Sequence, residues 1–270
     1  QGAYGKVPTH GNSKLRQLMH PAEVCAALRL KFAPGTVLSS QLKTTDDADL
    51  AFCDVKLGEV SRSFAAVIRQ LPTDMAVDIL VFYLVLRALD TIEDDMEAFK
   101  GDEATKCKHL RAFGDSYLGN PEWSMKGVGE GAERELLENF GAVSRVFNRL
   151  PASSREIIAD ITRKMGAGMA DYVDVDMGQG TVDLAAYARY CHMVAGLVGE
   201  GLTRAFIARG LESDVIAIQG QLTWPFCADV KSVEGGRNLG LANSMGLFLQ
   251  KTNIIRDYLE DYADGRAFWP

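Results

Sequence analysis

Basic clusters and paired cysteines are missing from this sequence of 270 residues. Its 29 lysines and arginines are outnumbered by 36 aspartates and glutamates, giving a net charge of −7, and they form no basic tract. A nucleic-acid-binding surface is therefore not expected, and a polyanionic ligand would need metal ions or a local group of arginines. The five cysteines are widely spaced without a CxxC pair, which argues against a disulfide framework and against a zinc site.

Long apolar runs and strand patterns are also scarce. The longest apolar run, residues 75–89, contains Asp78 and Arg87 and is shorter than the roughly 18 residues of a membrane-spanning helix. The N-terminal residues lack the layout of a signal peptide, and no glycine-rich dinucleotide-binding fingerprint follows a strand. Alternating runs separated by Asn-Gly or Asp-Gly turns are not found. The sequence therefore predicts an all-α fold with residues 1–270 in a single domain.

Helical periodicity dominates the chain instead. Thr73 is a predicted N-cap, Ser153 and Glu156 form a predicted capping box, and the glycine-rich stretch 114–131 reads as a loop. Glycines at 196, 199 and 201 interrupt one of the patterns, and they either leave room for a ligand or permit close helix packing. The predicted helices cover 52–68, 74–95, 133–148, a segment opening at 153, 184–209, 214–230 and 239–262.

Two of these helices end in similar acidic sequences. Asp90, Glu93 and Asp94 share one face of the first helix by the i, i+3, i+4 count. Three carboxylates at a helix C-terminus repel one another and oppose the helix dipole, so the arrangement is costly without a cation. Carboxylate oxygens are ligands that suit Mg²⁺. This acidic tip is therefore a candidate magnesium site.

The second acidic tip repeats the same spacing with Asp257, Glu260 and Asp261. It follows Gln250, Asn253 and Arg256 on a helix that is otherwise largely apolar. A single acidic helix end is usually only a solvated surface, but two matching tips favour a shared function. If the tips face each other, they can hold Mg²⁺ around a diphosphate and stabilise it as a leaving group.

These motifs resemble the squalene synthases, a family of head-to-head trans-isoprenyl diphosphate synthases. The resemblance extends over nearly the whole chain and implies an isoprenoid-synthase helical bundle around a central apolar channel. It also implies two half-reactions with Mg²⁺ and NADPH: two farnesyl diphosphates give presqualene diphosphate, which is then rearranged and reduced to squalene for sterol synthesis. The runs that carry it are Ser61-Arg62-Ser63-Phe64, Phe82-Tyr83-Leu84-Val85-Leu86-Arg87-Ala88-Leu89-Asp90-Thr91, Tyr190-Cys191-His192 and Lys251-Thr252-Asn253-Ile254-Ile255-Arg256-Asp257-Tyr258-Leu259-Glu260-Asp261.

The resemblance also implies roles for individual residues. Tyr190 is the candidate for guiding proton loss in the first half-reaction, with Tyr83 and Phe64 as further catalytic candidates beside the reacting carbons. Each aromatic residue has a competing interpretation as ordinary core packing. The implied metal ligands are Asp90, Glu93, Asp94, Asp257, Glu260 and Asp261. The implied substrate-binding residues are Ser61, Arg62, Ser63, Arg87, Gln250, Asn253, Arg256 and Arg266.

One departure from the family pattern concerns the extent of the chain. It stops at residues 267–270, just beyond the second tip, whereas family members continue through further helices to a membrane anchor. We therefore expect a partial chain that lacks those helices and that anchor. The family implies a monomer at the endoplasmic reticulum membrane, with the catalytic domain facing the cytoplasm.

Two other functions compete with this interpretation. A phytoene or dehydrosqualene synthase would share both acidic tips but would lose a proton in its last step instead of gaining hydride from NADPH. A helical interaction module without activity would share the fold, but it would be expected to lose some of the carboxylates and arginines. Incubation with labelled farnesyl diphosphate and Mg²⁺ discriminates among the three.

Overall fold

A computed structural model of the chain describes residues 21–32, 46–61, 64–173, 175, 180–213, 233–234, 237–263 and 267–269. Within these ranges the fold is all-α as predicted, apart from one hairpin in which β1 (Val233–Glu234) pairs antiparallel with β2 (Arg237–Asn238). The predicted helix 214–230 lies outside the described residues. None of the described helices is long and apolar enough to cross a membrane. In chain order the helices are α1 (Pro21–Phe32), α2 (Ala48–Val60), α3 (Phe64–Ile68), α4 (Thr73–Asp94), α5 (Glu103–Ala112), α6 (Gly131–Glu138), α7 (Phe140–Arg149), α8 (Ala152–Ala170), α9 (Leu184–Cys191), α10 (Leu197–Ala208) and α11 (Gly240–Ala263).

Helix α4 lies at the centre of the core. Its side chains are buried on nearly every face, including the fully enclosed Leu80, Leu84 and Leu89. It packs against α2, α6 and α8, so its C-terminal acidic tip is held in a fixed position. A helix that is apolar almost all round is expected to be buried in this way.

Both predicted helix caps are wrong, and a proline explains each case. Helix α4 begins at Thr73 with Pro72 in the N-cap position, and the carbonyl of Pro72 accepts from the N–H of Ala76 at 2.7 Å. Helix α8 likewise follows Pro151, whose carbonyl accepts from the N–H of Arg155 at 3.0 Å. Neither cap uses a side chain. Because proline has a fixed φ and no N–H to satisfy, these helices begin directly after it.

Two further boundaries differ from the sequence prediction. The predicted helix 52–68 is two helices, α2 and α3, and Ser61 stands at the end of α2. The predicted loop 114–131 begins with a π-helical turn, Phe113–Tyr117, that continues α5. Helix α5 itself escaped prediction because its sequence is mostly polar and charged, and it is fixed by the Asp102 cap and by burial of Leu110.

The glycines of the helix pair α9–α10 serve close packing. A π-helical turn, His192–Gly196, joins the two helices, and α11 packs against this turn and against α10. A Cβ atom on Gly199 would lie 2.4 Å from the carbonyl oxygen of Ala242, and one on Gly246 would lie 2.4 Å from that of Ala195. Backbone therefore contacts backbone here, and of the two explanations left open by the sequence the described contacts favour packing. This contact holds α10 and the π-helical turn that follows Tyr190 against the helix of the second acidic tip.

Candidate active site

The two acidic tips and several other predicted residues line one cleft of about 360 Å³ between α4, α9 and α11. Helices α4 and α11 both present acidic residues to it, and the end of α9 with the π-helical turn that follows supplies a further wall. The geometry therefore provides the shared site that two facing tips require. The lining residues are Arg87, Asp90, Glu93, Asp94, Met169, Tyr190, Val194, Gln250, Asn253, Ile254, Asp257, Asp261 and Phe268.

In the first acidic tip, burial opposes the ionisation of a carboxylate. Asp90 and Glu93 are half-buried, whereas Asp94 is exposed. Burial raises the pKa of Asp90 from 3.8 to about 8 despite the opposing charge of Arg87, and Asp94 and Glu93 add to the rise. Without a metal, it is therefore unfavourable for all carboxylates of the first tip to be ionised at once. A bound divalent cation would offset this cost.

This burial predicts how the stability of the metal-free protein depends on pH. The unfolded chain loses the Asp90 proton near pH 4, but the folded chain keeps it until about pH 8, so ionisation opposes folding. In EDTA, the free energy of unfolding of the wild type should therefore fall between these pH values relative to Asp90→Asn. Denaturant unfolding of both proteins across this range measures the difference. A constant difference would show that Asp90 titrates normally.

The second tip presents Asp257 and Asp261 to the cleft, one turn apart on α11. Arg256 forms a bidentate ion pair with its neighbour Asp257, with N–O distances of 2.6 and 2.5 Å. The Arg256 side chain is 68% exposed and does not line the cleft. In this arrangement Arg256 neutralises part of the second tip, and its diphosphate contact stays a prediction.

The carboxylates are suited to shared rather than enclosed metal sites. Among the described residues, which leave out the side chain of Glu260, no three acidic, histidine or cysteine side chains converge on one point. Mg²⁺ usually takes only one or two carboxylates and completes its shell with water and substrate phosphate. The hard oxygen donors of the two tips therefore fit Mg²⁺ held jointly with a diphosphate.

Among the described residues that line the cleft, Arg87 is the one arginine. Its Nη2 donates to the hydroxyl of Tyr83 at 3.1 Å, and its Nη1 lies 3.6 Å from a carboxylate oxygen of Glu133. Its Nε is buried without a hydrogen-bond acceptor among the described residues. Arg87 lines the cleft, and an arginine carries several N–H donors that suit phosphate oxygens, so it is a candidate for binding a diphosphate.

Tyr190 forms the aromatic wall of the cleft. Its ring stacks on that of Phe268, with centroids 5.0 Å apart and an interplanar angle of 22°. The ring of Tyr172 meets it edge-on at 5.4 Å. Two aromatic contacts thus fix the orientation of the Tyr190 ring beside the acidic tips.

Other predicted site residues lie away from the cleft or outside the described residues. Tyr83 contacts the site only through Arg87, and the 59% exposed Phe64 packs on Tyr83 with centroids 5.8 Å apart. Ser61 is buried, donates its hydroxyl hydrogen to the carbonyl of Leu57 and accepts from the N–H of Ala65, so its hydroxyl links α2 to α3. Those outside the described residues are Arg62, Ser63, Arg266 and the side chain of Glu260.

Four lining residues were not among the predicted site residues. Val194 lies one helical turn beyond Tyr190, and Ile254 lies one turn before Asp257, so helical spacing from known site residues could have found both. Met169 is one of many buried apolar residues of α8, so its sequence position does not mark it as a site residue. Phe268 has no such signal, because it follows the end of α11 and reaches the cleft only through tertiary packing.

Comparison with known proteins gives a consistent family. Residues 57–270 match the family described as Squalene/phytoene synthase. Squalene synthase ERG9 of Candida albicans is 41% identical over 95% of this chain and 53% of its own length. Squalene synthase of Mus musculus is 41% identical over 94% of this chain and 54% of its own length. Lycopaoctaene synthase of Botryococcus braunii is 39% identical over 94% of this chain and 51% of its own length.

A solved structure agrees with these relatives. The complex of TcSQS with the ligand BPH1237 superposes with a TM-score of 0.69 at 42% identity, covering 83% of this chain and 58% of that one. The chain spans about half the length of the relatives that it matches. Since the family match extends from residue 57 to residue 270 and the relatives align with nearly all of this chain, the chain belongs to the squalene/phytoene synthase family.

Proposed function

We propose that this chain ionises farnesyl diphosphate with Mg²⁺ and joins two molecules of it head to head into presqualene diphosphate. The carrying observation is the single cleft lined by both acidic tips, Arg87 and Tyr190. The first molecule loses its diphosphate as the C–O bond breaks, and the bonding electron pair leaves with the diphosphate. The resulting allylic cation alkylates the double bond of the second molecule, and loss of a proton closes the cyclopropane ring.

The carboxylates and Arg87 divide the work of holding the diphosphate. Asp90 and Asp94 on one side and Asp257 and Asp261 on the other would hold Mg²⁺, with Glu93 in support. Bound Mg²⁺ supplies Lewis-acid stabilisation of the negative charge that develops on the leaving group. The guanidinium of Arg87, which lines the cleft and is held by Tyr83, would donate to a phosphate oxygen. The glutamate side chain at 260 and the arginine at 266 remain predicted contributors.

The polar groups of α11 and the aromatic wall complete the proposed assignment. The amides of Gln250 and Asn253 line the cleft on the same helix as Asp257 and can bind diphosphate oxygens or metal-bound water. The hydroxyl of Tyr190 guides proton loss. A neutral phenol is a weak base and accepts a proton only from a very strong acid, and a carbocation is such an acid. The departing diphosphate can carry that proton onward.

The charge of the cleft gives the sharpest test of this function. Its carboxylates repel a diphosphate, so a non-ionising thio analogue of farnesyl diphosphate should bind at least about 100-fold more weakly in EDTA than in Mg²⁺. Isothermal titration calorimetry measures both affinities. Adding back Mg²⁺ that is free of Ca²⁺ should restore tight binding. Equal affinity in EDTA would show that arginines alone carry the site and that the acidic tips serve another purpose.

Product analysis decides how far the reaction proceeds. We propose that presqualene diphosphate is rearranged and reduced by NADPH to squalene, a step that rests on the family resemblance. A relative at 39% identity is a lycopaoctaene synthase, so identity at this level does not fix the product. Labelled farnesyl diphosphate incubated with Mg²⁺ should give presqualene diphosphate without NADPH and squalene with it. An unreduced triterpene in both incubations would favour the dehydrosqualene or phytoene synthase alternative.

A further inference from the structure

An aromatic segment, residues 267–269, returns to the site beyond the end of α11. The carbonyl of Phe268 accepts from the hydroxyl of the buried Thr181 at 3.3 Å, so the segment is attached next to the start of α9. Phe268 and Trp269 point to different neighbours. Phe268 lines the cleft and stacks on Tyr190, whereas Trp269 meets the buried Tyr187 edge-on with centroids 5.3 Å apart.

The surroundings of Phe268 hold its ring in place. It packs on a small apolar cluster formed by Tyr187, Cys191, Leu247 and Ile254, which joins α9 to α11. On its other side is the cleft with the acidic tips. The ring is thus one wall of the cleft, supported from behind by the contact between two helices that both carry proposed catalytic groups.

We propose that Phe268 is a positioning residue that holds the Tyr190 ring towards the acidic tips and excludes water from the allylic carbon. This inference rests on the proposed function. Tyr190 has aromatic contacts on two sides, with Phe268 covering its face and Tyr172 touching it edge-on. Removing the Phe268 ring frees the Tyr190 ring to rotate and opens the face of the cleft to solvent. An aromatic face beside the carbon also stabilises positive charge, which an aliphatic side chain does not.

Loss of this wall has a specific chemical consequence. If water reaches the allylic cation, the oxygen of water bonds to the carbon and a proton is released. The products are farnesol and diphosphate instead of presqualene diphosphate. The ratio of farnesol to presqualene diphosphate therefore reports on the wall, and a purely structural contact would not change it.

The test compares Phe268→Leu with Trp269→Leu, which removes the neighbouring ring that does not line the cleft. In Phe268→Leu, kcat for presqualene diphosphate should fall about 10-fold with little change in KM, because binding groups remain while the reactive geometry is lost. The farnesol fraction should rise several-fold. Phe268→Tyr, which keeps the ring, should restore both values. Trp269→Leu should resemble the wild type in product ratio even if its melting temperature falls.

A second measurement needs neither metal nor substrate. Tetranitromethane nitrates accessible tyrosines, and peptide mass spectrometry gives the nitrated fraction of Tyr190. This fraction should rise in Phe268→Leu and stay at the wild-type level in Trp269→Leu. Equal product ratios and equal nitration in the two leucine variants would overturn the role of Phe268 while leaving the proposed function intact. A wild-type chain that consumes no farnesyl diphosphate with Mg²⁺ would overturn the proposed function and this inference with it.

Discussion

Replacing Asp261 with asparagine should slow the Mg²⁺-dependent consumption of farnesyl diphosphate by about 100-fold or more, with little loss of stability. Stabilisation of the leaving group by metal contributes several kcal/mol to such a reaction, and each tenfold in rate corresponds to about 1.4 kcal/mol. Asp261 lines the same cleft as the first tip, so losing its charge removes part of the proposed metal site. Single-turnover assays with labelled substrate measure the rate, and thermal unfolding checks the fold.

A matched pair of variants separates this effect from a general loss of negative charge. Asp94→Asn removes the corresponding carboxylate from the first tip and should be as damaging as the change at Asp261. Glu97→Gln removes an exposed carboxylate one turn further on, where it pairs with Lys100 outside the cleft, and should be nearly neutral. Turnover close to the wild-type rate in either aspartate variant at low Mg²⁺ would contradict a site that needs both tips.

Removing the Tyr190 hydroxyl should suppress formation of presqualene diphosphate by about 100-fold while leaving the melting temperature nearly unchanged. Proton transfer by a positioned side chain typically contributes about 10²- to 10⁴-fold to a rate. Tyr190→Phe keeps the ring and its contacts with Tyr172 and Phe268, so packing is preserved. If the Tyr190 hydroxyl served only the fold, its removal would instead lower the free energy of unfolding by about 1 kcal/mol and change the activity little.

Tyr172→Phe is the matched control for this change. The hydroxyl of Tyr172 donates to the carbonyl of Ala186 at 3.4 Å, and its ring touches Tyr190 from outside the cleft. Tyr172→Phe therefore also removes a phenolic hydroxyl next to the site, but from a residue that does not line the cleft. A normal rate of presqualene diphosphate formation by Tyr190→Phe would assign proton removal to the departing diphosphate.

Local sequence predicted those features that depend on one helix at a time. The spacing of Asp90, Glu93 and Asp94 puts them on one face of α4 wherever that helix lies, because side chains three and four apart always share a face. The same holds for Asp257 and Asp261 on α11. The nearly continuous apolar sequence of α4 likewise predicted its burial. The helix starts were less predictable, since the carbonyls of Pro72 and Pro151 cap helices that Thr73 and Ser153 were expected to begin.

The sequence by itself determined the all-α class, the two acidic faces and the family motifs, since each is written in contiguous residues and a fixed helical repeat. Only the tertiary structure decided which side chains meet. It brings Arg87 to the cleft, pairs Arg256 with Asp257, and returns Phe268 to Tyr190 after α11 has ended. The physical reason is that these contacts depend on close packing between distant segments and on the rotamers of long side chains, neither of which has a periodic signature in the chain.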